Sequence, residues 1–227
     1  MEEQSPKANC ISARLRSRSD HMGLAIAVLA WRTPRYIISR ELVHVSDLTT
    51  AALESLLEDY APEAFAEIAR EELQPSGTIE ERRSAMAKKH AIQVRALEKA
   101  VGRDKAVAMG RDALFAVGRS LGRETHDKLG MGDTPRDLVR AARIMYRILG
   151  IEFRVEWLGD AKAKLIVERC ALAKEYSELT CSVLSATDEG VIAGLNPGAS
   201  MKFEDKMTGG CARCIAAIEF KREGRGT

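Results

Sequence analysis

The hydrophobic period of the chain changes at Gly150, and that change limits the fold more than any other feature. Before it, apolar residues recur at helical spacing: Leu53, Leu56, Leu57 and Tyr60 in one stretch, then Met86, Ile92 and Leu97, then Leu138, Ala141, Ala142, Met145, Ile148 and Leu149. After it, Ile151, Phe153, Val155 and Trp157 alternate with Glu152, Arg154 and Glu156, the pattern of a half-buried strand. Gly159-Asp160 makes a turn, and Ala163, Leu165 and Val167 alternate again on a return strand. Residues 171 to 193 are helical in parts, and Ser200 to Lys206 and Cys214 to Lys221 read as two further strands. The fold class is therefore α+β: a helical N-terminal half, followed by an antiparallel sheet with a helical excursion carrying a cysteine cluster.

Capping residues divide the helical half. Ser46-Asp47-Leu48-Thr49 offers caps for a first helix, and Pro62 sits where a second can start. Gln74-Pro75-Ser76-Gly77 breaks the run, and Thr78 with Glu81 makes a capping box for a third helix to Val101. Asp104 is placed to cap a fourth, reaching Leu129, and Thr134-Pro135 opens a fifth that Gly150 ends. The fourth helix carries Gly110, Gly118 and Gly122. Each glycine costs a helix about 1 kcal/mol against alanine, so three of them imply close approach of another backbone or a ligand. Gly118 and Gly122 share a face, and tight helix packing is the plainer meaning.

Residues 1–20 are polar and Ser- and Arg-rich and read as a mobile arm. A helical region over 21–84 and an α+β cysteine-cluster domain over 85–227 follow. With 35 basic and 33 acidic residues the chain has no general bias towards polyanions, and aromatics at 5% offer no stacking platform for nucleic acid. The apolar run Met22 to Trp31 is too short for a bilayer, which needs about 20 such residues. Arg32-Thr33-Pro34-Arg35 follows it where small residues would mark a signal cleavage site. A cytoplasmic location is expected, where cysteines stay reduced and a cluster of them signals metal binding or catalysis rather than disulfides.

Four of five cysteines lie in the C-terminal third: Cys170, Cys181, Cys211 and Cys214. Cys211-Ala212-Arg213-Cys214 follows Gly209-Gly210, and two thiolates at that spacing on a turn form half of a tetrahedral site. Zinc and an iron–sulfur cluster are the two cofactors such a set would hold. One unbroken helix from 170 to 181 would separate Cys170 and Cys181 by about 16 Å, whereas thiolates on one ion lie within about 4 Å of one another. Cys170 therefore joins the site only if the helix starts after it and breaks near Ser177 to Thr180. Thiol–disulfide exchange and unrelated buried cysteines remain as alternatives, and Cys10 in the arm reads as a bystander. Arg169, Lys174, Lys202, Lys206 and Arg213 lie close by in sequence, as an anionic centre or an ordinary surface would have them.

His21, His44, His90 and His126 show no metal-ligand spacing. His126, beside Glu124 and Asp127, is a weak candidate for general acid–base work, against a plain surface histidine at a helix C-terminus. Among acidic residues near the thiols, Glu178 and Glu204 are weak catalytic candidates, and Asp188 and Asp205 are others able to position water or act as a base, while solvated strand and helix faces explain all four equally well. No nucleotide-binding glycine loop or nucleophile elbow is present.

The run from Thr134-Pro135 to Leu149-Gly150, the hairpin, Val167-Glu168-Arg169-Cys170-Ala171-Leu172-Ala173, Cys181, Gly194-Leu195-Asn196-Pro197-Gly198 and Met207-Thr208-Gly209-Gly210 before Cys214 resemble the L-2-amino-thiazoline-4-carboxylic acid hydrolase-like family over residues 85 to 220. They are similar, more distantly, to 4-vinyl reductase domains. The resemblance implies hydrolytic opening of a cyclic amidine-like ring, with a small molecule as substrate or ligand; in that family's pattern a single cysteine, matching Cys214, suffices. Two functions follow: a metal- or cluster-binding hydrolase of a small sulfur- and nitrogen-containing heterocycle, or a non-enzymatic small-molecule-binding or redox-sensing module with a structural four-cysteine centre. Self-association is left open; nucleic acid and membrane are not expected as partners.

Overall fold

The computed structural model describes residues 33–68 and 77–221. The arm, the apolar run before Thr33, Cys10, His21 and most of the Gln74–Gly77 break lie outside them. Helix α1 spans Arg35–Tyr60, α2 Pro62–Ile68, α3 Ile79–Val101, α4 Arg103–Leu129 and α5 Pro135–Leu149. Strands β1 (Ile151–Trp157) and β2 (Lys162–Cys170) follow, then a 3-10 turn at Ala171–Lys174, helix α6 (Glu178–Leu195), β3 (Ala199–Asp205) and β4 (Cys214–Phe220). The α+β expectation holds, with the helical half first and a four-stranded antiparallel sheet of order β1-β2-β4-β3 after it.

The local signals act as the sequence implies. At α3 the Thr78 hydroxyl accepts from the Glu81 N–H while the Glu81 carboxylate accepts from the Thr78 N–H. At α5 Thr134 caps the Asp137 N–H ahead of Pro135. Gly150 ends that helix in the left-handed region (φ 71°), and Arg83 of α3 donates to the last-turn carbonyls of Ile148 and Arg147 at 2.9 and 2.6 Å. Two expectations fail. Ser46 and Thr49 start no helix but lie within α1, where Thr49 gives its hydroxyl proton back to the Val45 carbonyl at 2.7 Å. Gly102, not Asp104, holds the cap position of α4, with no side-chain cap. Helix α3 runs unbroken through residues 84 and 85.

One core lies between the inner face of the sheet (Ala163, Leu165, Val167, Ala216 and Ile218) and α5 and α6. A second joins Leu53, Val94 and Leu114 of α1, α3 and α4 to Val183 and Ala186 of α6. Helix α6 thus stands between sheet and helical half and faces both. No helix among the described residues is long and apolar enough to cross a membrane.

Candidate functional site

Helix α6 begins where the cysteine geometry requires. Cys170 ends β2, the chain turns through one 3-10 turn, and the Ser177 hydroxyl caps the new helix by accepting from the Thr180 N–H at 3.1 Å. The expected break between Cys170 and Cys181 is therefore present, and both thiols line one cavity of about 90 Å³ together with Cys214. That volume is several times the roughly 10–15 Å³ needed by one buried water. Its walls are mostly apolar: Val45 from α1, Met86 from α3, Leu149 from α5, Val167 from β2, Leu184 from α6 and Phe203 from β3.

Cys211 does not join them. It is exposed in the turn before β4, whereas Cys214 is the first residue of that strand and is buried, its sulfur accepting from the Met207 N–H at 3.3 Å. The two cysteines of the pair point to different environments, so their three-residue spacing makes no chelate. All four are free thiols. Among the described residues, no group of three or more His, Cys, Asp or Glu side chains is placed to hold a metal ion. The expected metal or iron–sulfur centre on Cys170, Cys181, Cys211 and Cys214 is corrected accordingly. The local electrostatics agree with that correction. Burial raises the pKa of Cys170 to about 11 and pushes those of Cys181 and Cys214 up too, which favours the protonated thiol over the thiolate that a metal takes.

The titrating group of the cavity is Asp188 of α6, seven residues after Cys181 and so on the same helix face. Burial raises its carboxyl to about 7, against a hydrogen bond from Tyr146 that favours the ionised form and Glu189 that disfavours it. Tyr146 is buried on α5, and burial and Asp188 raise its own pKa, so it stays a phenol. Lys206, just past β3, supplies the cavity's cation; its ammonium donates to Ser182 at 3.3 Å and has no ion-pair partner among the described residues. His90 of α3, 1% exposed, and Tyr176, hydrogen-bonded to it at 2.8 Å, close the side against the helical half.

The three weak catalytic candidates lie outside this cavity. His126 sits in the last turn of α4 beside Asp127 and Asp133, Glu178 is exposed in the first turn of α6 facing Arg103, and Glu204 is exposed on β3. The side chains that sequence reasoning passed over are Tyr146, Tyr176, His90 and Thr49. Of the cavity's lining, Cys170, Cys181, Cys214 and Asp188 were singled out in the sequence.

The family model for L-2-amino-thiazoline-4-carboxylic acid hydrolase matches residues 82–216, well over half of the chain. The chain belongs to this family. The match takes in α3 from its first turn and ends within β4, so it spans His90, Tyr146, Cys170, Cys181, Asp188 and Cys214 of this thiazoline-carboxylate hydrolase family member. Among curated proteins none matches it. Two solved structures are distantly similar. A trafficking protein particle complex subunit 3 from Naegleria fowleri, covalently bound to palmitic acid, shares 13% identity over 60% of this chain and 95% of that one, with a TM-score of 0.42. An H-NOX protein from S. oneidensis in its Fe(II)NO state shares 15% over 82% and 98%, with a TM-score of 0.37. Likenesses this distant say nothing of what the present chain binds.

Proposed function

We propose that the chain binds a small ring compound with a basic nitrogen in this cavity and hydrolyses it, with Asp188 as the proton-transfer group. The observation that carries this reading is a half-buried carboxyl at the cavity wall whose pKa desolvation raises to about 7. A group poised near neutrality gives and takes a proton with comparable ease. The family name supplies the trial substrate, 2-amino-thiazoline-4-carboxylic acid, a cyclic amidine bearing a carboxylate.

Protonated Asp188 gives its proton to the ring nitrogen, which makes the amidine carbon a better electrophile. The carboxylate so formed takes a proton from water as the water oxygen bonds to that carbon. The bond from this carbon to a ring heteroatom then breaks. Asp188 gives the departing heteroatom a proton and regains one from the intermediate's hydroxyl, which becomes the carbonyl. One water is consumed, and Asp188 ends as it began. Tyr146 keeps the carboxyl oriented, and Lys206 pairs with the substrate carboxylate. The protonated thiols of Cys170, Cys181 and Cys214 behave as small soft apolar groups and suit a sulfur-containing ring.

Ring opening of 2-amino-thiazoline-4-carboxylic acid by the wild type, Asp188→Asn and Lys206→Met tests this. Loss of general acid–base catalysis should lower kcat of Asp188→Asn by about 100-fold or more, and Lys206→Met should raise KM. Undiminished turnover by Asp188→Asn overturns the reading.

A further inference from the structure

Both ring nitrogens of His90 are hydrogen-bonded, and the pattern has one consistent direction. Nε2 lies 2.9 Å from Thr49 Oγ1, and Nδ1 lies 2.8 Å from Tyr176 Oη. Thr49 Oγ1 also lies 2.7 Å from the Val45 carbonyl oxygen. A carbonyl only accepts, so the single hydroxyl proton of Thr49 lies on that contact. Nε2 must then carry the N–H that donates to Thr49. Burial, and secondarily Lys89, lowers the His90 pKa to about 3, so the imidazole is neutral and Nδ1 is bare. The Tyr176 O–H therefore donates to Nδ1. The series ends on a helix carbonyl and has no exit for a proton; its effect is to orient.

With its one proton committed to His90, Tyr176 has only lone pairs left to offer. The residue lines the cavity, and its hydroxyl makes no other hydrogen bond among the described residues. We propose that Tyr176 is a specificity-determining acceptor, held by His90 as its positioning residue, which selects ring compounds that present an N–H to the cavity. The proposal rests on the reading of this cavity as the ligand site and is independent of whether the ligand is then hydrolysed.

The test is calorimetric binding of 2-amino-2-thiazoline and its near-isostere 2-methyl-2-thiazoline, which has no N–H. One hydrogen bond of ordinary strength corresponds to about a tenfold preference for the amino compound in the wild type. Tyr176→Phe keeps the ring and drops the hydroxyl, and the preference should fall to about twofold or less. His90→Gln, which retains an acceptor and a donor, should keep the preference, and His90→Leu should lose it, with circular dichroism confirming that each is folded. No preference in the wild type, or an undiminished one in Tyr176→Phe, overturns the proposal. The two claims fail separately. Unchanged turnover in Asp188→Asn with the amino preference intact removes the Asp188 assignment alone, and lost turnover without any preference removes the Tyr176 assignment alone.

Discussion

A methyl group added at Gly118 would stand 2.0 Å from the carbonyl oxygen of Thr187, so α4 and α6 touch backbone to backbone one residue before Asp188. A methyl group added at Gly122 would stand 2.3 Å from the Val191 carbonyl oxygen, and from the other side methyl groups added at Gly190 and Gly194 of α6 would stand 2.2 and 2.3 Å from the carbonyl oxygens of Phe115 and Arg119. The glycines of the fourth helix thus serve packing between helices, and that packing fixes the height at which α6 presents Cys181 and Asp188 to the cavity.

Gly118→Ala forces this crossing apart, because the atom it meets is backbone and cannot swing away. Overpacking of this kind costs about 1–3 kcal/mol, occasionally more. Urea unfolding should show a lowered midpoint at an unchanged slope; an unshifted midpoint would mean that the helices do not touch here.

Asp188 couples stability to pH. Its carboxyl is raised to about 7 in the fold against an ordinary 3.8, so between those values the folded chain holds a proton that the unfolded chain has released. Stability is therefore greatest on the acid side of this window and falls as pH rises through it, levelling off above about 7. The groups facing Asp188 are Tyr146, Tyr176, Cys170, Cys181, Cys214, Glu189 and Lys206. Asp188→Asn should raise Tm relative to wild type at pH 8 and change it much less at pH 4. An equal difference at both would contradict the raised pKa.

The cysteines should differ in reactivity. Brief iodoacetamide treatment of the native protein, with peptide mapping by mass spectrometry, should label Cys211 well before Cys170, Cys181 or Cys214, which are shielded and hold their protons. Cys211→Ser should change stability by no more than about 0.5 kcal/mol, as exposed substitutions do. Fast labelling of Cys214 would show that β4 does not bury it.

Much of the fold was legible because its signals are local. The Thr78–Glu81 box, the Thr134-Pro135 start, the αL stop at Gly150 and the alternation after Ile151 each act within one or two turns of chain. Ser46 and Thr49 misled because cap residues are also tolerated within a helix when the hydroxyl bonds back to a carbonyl, as Thr49 does to Val45. The site was legible in part. The break at Ser177 followed from helix geometry, and with it the meeting of Cys170 and Cys181. The Cys211–Cys214 spacing suggested a chelate because such pairs sit on one side of a turn. Here β4 starts at the second cysteine and carries it into the core, leaving the first outside. His90 and Tyr176 are 86 residues apart, and no local pattern announces a contact that only tertiary packing makes.

Asp188 lines the cavity with a carboxyl that desolvation raises to about 7. Carbon-13 NMR of the Asp188 carboxyl, assigned by difference from Asp188→Asn, reads this directly across pH 3 to 9. The expected midpoint is about 7, and it should move when 2-amino-thiazoline-4-carboxylic acid is added. A midpoint near the ordinary 3.8, unmoved by the compound, would contradict both the burial of the group and its place in the site.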